Sequence, residues 1–244
     1  FLLTLTRGRM TTNGDLEMAR VLVIGDTHCP AMDLGYPDFL EEMAQQWETD
    51  TVVHIGDVVD WASISYHEKL PGFDGPAVEY QKALDQVQML YRKFQNVTVM
   101  TGNHDDLPRR QMTTVGLPEE CLVDYNYLWQ TPYWDWKPRF SSHVIDGVIY
   151  RHGDSGRGGK YAALNNAMDN FNSYVQGHTH SLAGVNYYRN EGGRVFGMNV
   201  GCGVDHKQLA LYYARRYNAK PILGCGIVLD GKYAYWEPYN GIEG

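Results

Sequence analysis

The chain has 244 residues, enough for one sizeable core, with 43% hydrophobic and 20% charged content, as expected of a globular protein. No apolar run is long enough to span a membrane, and Phe1–Thr6 is cut short by Arg7 and Arg9, too soon for a signal-peptide core. A net charge of −8 argues against a surface that coats nucleic acid. Cys29, Cys121, Cys202 and Cys225 are scattered with no C-x-x-C pair, which reads as reduced thiols in a cytoplasmic protein.

Met18 directly precedes the first strand pattern, so residues 1–17 read as a disordered or artefactual extension, expected to be dispensable, ahead of a single domain over 18–244. Arg20-Val-Leu-Val-Ile-Gly is a buried strand ending at Asp26, and Tyr36 to Trp47 carries helical spacing. Thr51-Val-Val-His-Ile-Gly is a second strand ending at Asp57, Val78 to Phe94 an amphipathic helix, and Val97-Thr-Val-Met-Thr-Gly a third strand ending at Asn103. That alternation predicts parallel βαβ units with ligands beyond the strand carboxyl ends. An irregular, aromatic-rich insert follows at about 107–142, with Tyr125, Tyr127, Trp129, Tyr133, Trp134 and Trp136. It reads as a loop folded onto the core by its rings or as a cap that stacks on a nucleobase or aryl group. Hairpins are predicted at Asp146-Gly147, Glu191-Gly192-Gly193 and Asp230-Gly231, and a helix over Lys160 to Asn170.

Five short blocks punctuate these elements: Gly25-Asp26-Thr27-His28, Gly56-Asp57, Gly102-Asn103-His104-Asp105, His152-Gly153-Asp154 and Gly177-His178-Thr179-His180. Taken singly, each is an ordinary turn or helix cap. In this order they resemble the calcineurin-like metallophosphoesterases, whose pattern runs D-x-H, G-D, G-N-H-D/E, a lone His and G-H-x-H, and the likeness extends from about Val21 to about Asp230. The resemblance implies a four-layer αββα sandwich, an α/β fold with two mixed sheets and the metal site at the strand carboxyl ends. It assigns Asp26, His28, Asp57 and His180 to one divalent ion and Asp57, Asn103, His152 and His178 to a second, with Asp57 bridging. Mixed carboxylate, imidazole and amide oxygen suits Mn²⁺ first, with Fe, Zn²⁺ or Ni²⁺ as alternatives, and the lack of cysteine ligands argues against a structural zinc. Two such ions about 3.5–4 Å apart would ionise a water near neutral pH and hold a phosphoester in line with it.

By the same resemblance His104 faces the substrate as proton donor to the leaving oxygen, and Asp60 orients it unless it is only a helix cap. His54, His67, His143 and His206 read as structural or surface groups, with His54 buried in its strand. Trp61 stands where protein phosphatases of the family carry an arginine, and Asp105 where they carry glutamate, which removes a usual clamp on a phosphomonoester and points to the small phosphodiesterase-like branch. Asn199-Val-Gly-Cys202 departs from the N-P-G-S loop of many small relatives. Arg109, with Arg110 beside it, and Arg157 and Lys160 in the glycine-rich run after His152 could add charge at a phosphate, or be solvated. The reading is a hydrolase of phosphodiesters with a nucleotide or nucleic-acid-like end group, without a membrane partner. A phosphomonoesterase of a small molecule or phosphoprotein, and a non-catalytic metal-binding scaffold of the same fold, are the alternatives. His104 argues against the scaffold, which needs no proton donor.

Overall fold

The computed structural model describes residues 4–5, 18–66, 72–205, 207 and 219–241. Strand alternation in β2 (Arg20–Ile24) sets the layers, because both faces of this strand are buried. Val21 and Val23 face a core shared by two sheets, with Val53, Met100, Tyr150, Val175, Phe196 and Met198. Leu22 and Ile24 face the other way, under α1 (Tyr36–Gln46) and α2 (Pro76–Lys93), against Tyr36, Leu40, Leu84, Val87 and Leu90. Those helical positions recur three or four residues apart, as a core-facing stripe requires. Proline in the first turn of each helix suits a position whose N–H has no partner. Lys93 reaches Asp38 at 2.8 Å and Glu41 at 2.6 Å, tying one helix to the other.

Beside β2 lie β3 (Thr51–His54), β4 (Thr98–Met100) and β5 (Asp135–Lys137), all parallel, and on its other side β11 (Gly224–Leu229) and β12 (Tyr233–Pro238), each antiparallel to its neighbour. The second sheet runs β1 (Thr4–Leu5), β6 (His143–Ile145), β7 (Val148–Tyr150), β8 (Ser173–Gln176), β10 (Gly193–Val200) and β9 (Ala183–Asn190), also mixed. α5 (Ala162–Asn170) covers its outer face, where Ala167 packs on Ile149 and Tyr174. The order helix, sheet, sheet, helix is the αββα sandwich. The three expected hairpins are present, and Asp146 (φ 48°) and Gly147 (φ 78°) form the two-residue turn of the first in the left-handed region that Asp-Gly favours. The reading of residues 1–17 falls mostly outside the described residues, although Thr4–Leu5 pairs in parallel with β6.

The segment after Asn103 is more regular than its composition predicts. It holds α3 (Leu107–Thr114), α4 (Tyr125–Leu128) and β5, which extends the first sheet. Trp129 and Trp134 are buried and Tyr125 stacks on Trp136 with centroids 4.8 Å apart, all against the α1/α2 core. Tyr127 and Tyr133 are exposed.

Helix α5 sits close to its sheet because β10 carries glycine beneath it. A Cβ on Gly197 would lie 2.2 Å from the Leu164 nitrogen and 2.3 Å from the Ala163 carbonyl carbon, both backbone atoms that cannot rotate away. Gly197→Ala is expected to lower stability by about 1–3 kcal/mol, near the top of the overpacking range, read as a lower midpoint in urea. An unchanged midpoint would mean that α5 lifts off the sheet without cost.

Candidate metal centre

Each of the five blocks lies just beyond a strand: Asp26 after β2, Asp57 after β3, Asn103 after β4, His152 after β7, and His178 with His180 after β8. Both sheets therefore deliver candidate ligands to one edge of the sandwich, the place where open α/β sheets bind. The close approach is possible because glycines precede the polar residues. A Cβ on Gly102 would stand 2.2 Å from Asp57 Oδ1, and one on Gly177 2.2 Å from Asp26 Oδ1. His28 (φ 47°), Asp57 (φ 47°) and His178 (φ 64°) are non-glycine residues in the left-handed region, a strain of about 1–3 kcal/mol each that the surrounding fold must hold.

The side chains converge as follows. Asp26 Oδ2 accepts from the His178 backbone N–H at 2.9 Å and lies 3.1 Å from His180 Nε2, while its buried Oδ1 has no hydrogen-bond partner. His28 Nε2 is 3.1 Å from His180 Nε2 and 3.6 Å from Asp57 Oδ2. Asp57 Oδ1 accepts from the His104 N–H at 2.7 Å, so that Oδ2 faces both His28 and, at 3.2 Å, His152 Nε2. Asn103 Oδ1 is also 3.2 Å from His152 Nε2. Ligand atoms of Asp26, His28 and His180 lie within 4.8 Å of one another, as do those of Asp57, His152 and His178 and those of His28, Asp57 and His104.

Proton placement tests whether this set suits cations. His28 Nδ1 donates to Asp60 Oδ1 at 2.8 Å and His152 Nδ1 donates to the Ile55 carbonyl at 3.0 Å. A neutral imidazole carries one N–H, so both Nε2 atoms present lone pairs inward. Those lone pairs face carboxylate and amide oxygens, which are acceptors too. Acceptors packed against acceptors need a positive charge between them, and the outward N–H held by a carboxylate or carbonyl is the usual support of a metal-bound histidine. The residues fit divalent ions at these positions.

Asp60 is buried and accepts from both His28 Nδ1 and, at 3.0 Å, His104 Nδ1, which also faces the Asp60 carbonyl at 2.8 Å. It is not the cap of the short 3₁₀ turn Ala62–Ile64, a position taken by Trp61. His54 is buried and its Nε2 meets Thr27 Oγ1 at 3.1 Å; burial holds it down to about 3 and keeps it neutral. His143 is buried, and His67 and His206 lie outside the described residues.

Asp105 and Arg139 belong to this edge but carry no local mark in the sequence beyond the Asp-for-Glu departure at Asp105. Asp105, fully buried, accepts from the Gly102 N–H at 2.8 Å and the Val59 N–H at 3.1 Å, pinning the Asn103 loop to the Asp57 loop. Burial, then the Asp57 charge, raise it to about 7. Each of the cationic residues nominated for phosphate has a partner within the fold. Arg109 pairs with Glu119 at 2.9 Å and Asp106 at 3.4 Å, Arg157 pairs with Asp169 at 2.6 Å, and Lys160 lies over the Tyr161 ring. Arg110 donates to the Asn103 carbonyl at 3.3 Å, the nearest of them to a proposed ligand.

Without ions, protons take their place. Burial is the largest single influence and works against charging His152 and His104, but the Asp57 charge, hydrogen bonds to Asp57 and Asp60 respectively and neighbouring carboxylates together outweigh it, and each rises to about 10. A histidine raised in the fold stabilises fully below the unfolded value of about 6.5 and loses that stability as pH climbs through its folded value. Asp105, raised from 3.8 to about 7, acts in the same direction up to neutrality, and the buried Cys29 thiol, raised from 9.0 to about 12, does so at the alkaline end. The metal-free protein is therefore expected to melt at progressively lower temperature from pH 6.5 to pH 10. Over the same window divalent ions should bind more tightly, because the His152 proton no longer competes. Melting curves of chelator-treated protein check the first part; a flat profile would refute the proton assignment.

The calcineurin-like phosphoesterase family model matches residues 19–190. No curated protein matches the chain. Among solved structures, vacuolar protein sorting 29 from Cryptosporidium parvum is similar at 16% identity and a TM-score of 0.43, over 91% of this chain and 97% of that one. YfcE, a phosphoesterase from E. coli, is similar at 17% identity and a TM-score of 0.42, over 85% of this chain and 87% of that one. Vps29 from Chaetomium thermophilum is similar at 11% identity and a TM-score of 0.40, over 86% of this chain and 80% of that one. With its five blocks gathered at one edge of an αββα sandwich and the family match extending over more than half its length, the chain belongs to the calcineurin-like phosphoesterases.

Proposed function

We propose that the protein is a two-ion phosphodiesterase acting on substrates with a nucleotide or nucleic-acid-like end group. The observation that carries this reading is the placement of Asp57 Oδ2 between His28 Nε2 and His152 Nε2, with each Nδ1 directed outward to Asp60 or the Ile55 carbonyl so that Nε2 is the atom free to offer a lone pair to a cation. Asp26, His28, Asp57 and His180 would hold one ion and Asp57, Asn103, His152 and His178 the other, Mn²⁺ being the best chemical match. Such ions supply Lewis-acid charge and a nucleophile from water at neutral pH.

The chain's own groups do the rest. His104 keeps its Nδ1 on Asp60, which leaves Nε2 to hold a proton for the departing oxygen. Asp57 and Asp60 raise its proton affinity to about 10, and cations beside Asp57 would bring it back toward the neutral range where a general acid works best. Diester preference rests on charge. Arg109, Arg139 and Arg157 are each paired with carboxylates, and Trp61 is stacked into the core beside Tyr80 and Trp129, so none of these is a ready clamp for a phosphomonoester dianion.

Mn²⁺-loaded protein is expected to cleave bis(p-nitrophenyl) phosphate faster than p-nitrophenyl phosphate, with Asp57→Asn as the blank. The reverse ratio would make it a monoesterase, and no cleavage of either with two ions bound would favour a scaffold. His104→Ala is expected to keep both ions and lose about 10²–10⁴-fold in turnover of an alkyl diester, with a smaller loss on p-nitrophenyl esters, whose leaving group needs no proton. Equal turnover of the alkyl diester by variant and wild type would remove His104 from the reaction.

A further inference from the structure

We propose that Arg139 governs occupancy of the second ion site, the one built from Asn103, His152 and His178, and so acts as a positioning residue; the inference rests on the two-ion reading above. Arg139 follows β5, at the end of the insert, and its side chain is only 18% exposed. Its Nε donates to Asp154 Oδ2 at 2.8 Å and its Nη1 to Asp106 Oδ2 at 3.2 Å. Asp154 stands two residues beyond His152, and Asp106 three residues beyond Asn103. One guanidinium thus joins the two loops whose side chains meet at His152 Nε2 and Asn103 Oδ1, 3.2 Å apart.

Those loops come from different sheets, β4 in one and β7 in the other, so no strand pairing fixes their separation. The guanidinium does so with a rigid planar fork, which a lysine cannot reproduce. Asp154 and Asp106 are mostly buried, with side chains 4% and 11% exposed. Without Arg139 they would be two like charges at the rim of the centre, and the loops would relax apart. Among the described residues Arg139 meets Asp106, Asp154 and the Phe140 ring, and none of Asp26, His28 and His180 of the first site.

The test is Mn²⁺ binding by calorimetry together with the electron paramagnetic resonance spectrum. Wild type is expected to bind two ions with a spin-coupled spectrum. Arg139→Ala should keep one site unchanged, bind the second about 10–100-fold more weakly, and give the spectrum of isolated Mn²⁺ at one equivalent. Arg139→Lys should fall between. Equal weakening of both sites would mark a general structural role and overturn the inference, as would two unchanged sites. A wild type that binds one ion overturns the two-ion reading and this inference together, whereas failure of the variants alone leaves that reading standing. Should Arg139→Ala not fold, Asp154→Asn cuts one arm of the clamp and is judged by the same outcomes.

Discussion

At the heart of the molecule acceptors face acceptors. Asp60 and the Ile55 carbonyl take the Nδ1 protons of His28 and His152, and the Nε2 lone pairs then meet Asp57 and Asn103 oxygens at 3.2–3.6 Å. This arrangement is repulsive until something positive enters it. With ions absent, protons serve, which is why His152 and His104 hold theirs so firmly. A bound ion and a bound proton would thus be two occupancies of one electrostatic hole.

Such a hole would collapse if its walls were free to move, and the scaffold prevents this by close packing rather than by hydrogen bonds alone. Gly102 lies against the Asp57 carboxylate and Gly177 against that of Asp26, so the backbone of one block forms the wall behind the ligand of another. Asp105 then fixes the Asn103 loop to Val59, beyond the reach of solvent. Left-handed His28, Asp57 and His178 show that this precision costs conformational energy. Such strain persists where neighbouring elements over-determine the backbone, here two sheets fixed by the Val21, Val53, Val175 and Met198 core.

Much of this was legible in the chain. Val-rich runs ending in Gly-Asp, Gly-Asn or Gly-His announce both the strands and the blocks they deliver, since burial and ligation act on neighbouring residues. Loop chemistry at Asp146-Gly147 and Asp230-Gly231 is equally local. What escaped the sequence is carried by contacts between distant residues. Asp60 was expected to orient His104, but its bond to His28, 32 positions away, makes it the support of a proposed ligand as well. Arg139 lies 15 and 33 positions from its two carboxylates, and no periodicity marks it. β5, three residues long at a sheet edge, is too short to stand out from an aromatic-rich insert, although its register against β4 is plain in three dimensions.

Charge at the rim decides what the centre can hold. The chain is acidic overall, and Arg109, Arg139 and Arg157 are paired with Glu119, with Asp106 and Asp154, and with Asp169, while Arg110 donates to the Asn103 carbonyl. Trp61, at the position expected to carry an arginine in protein phosphatases, lies in a cluster with Tyr80 and Trp129. Cations held at Asp57 would add to whatever attraction Arg110 offers a phosphate. A dianionic monoester would leave charge facing Asp57, Asp60 and Asp154 with little to offset it, whereas a diester carries one charge fewer and an extra organic group to bury. On the diesterase reading proposed above, the carboxylates around the candidate ion site would act by repulsion against the more highly charged ester.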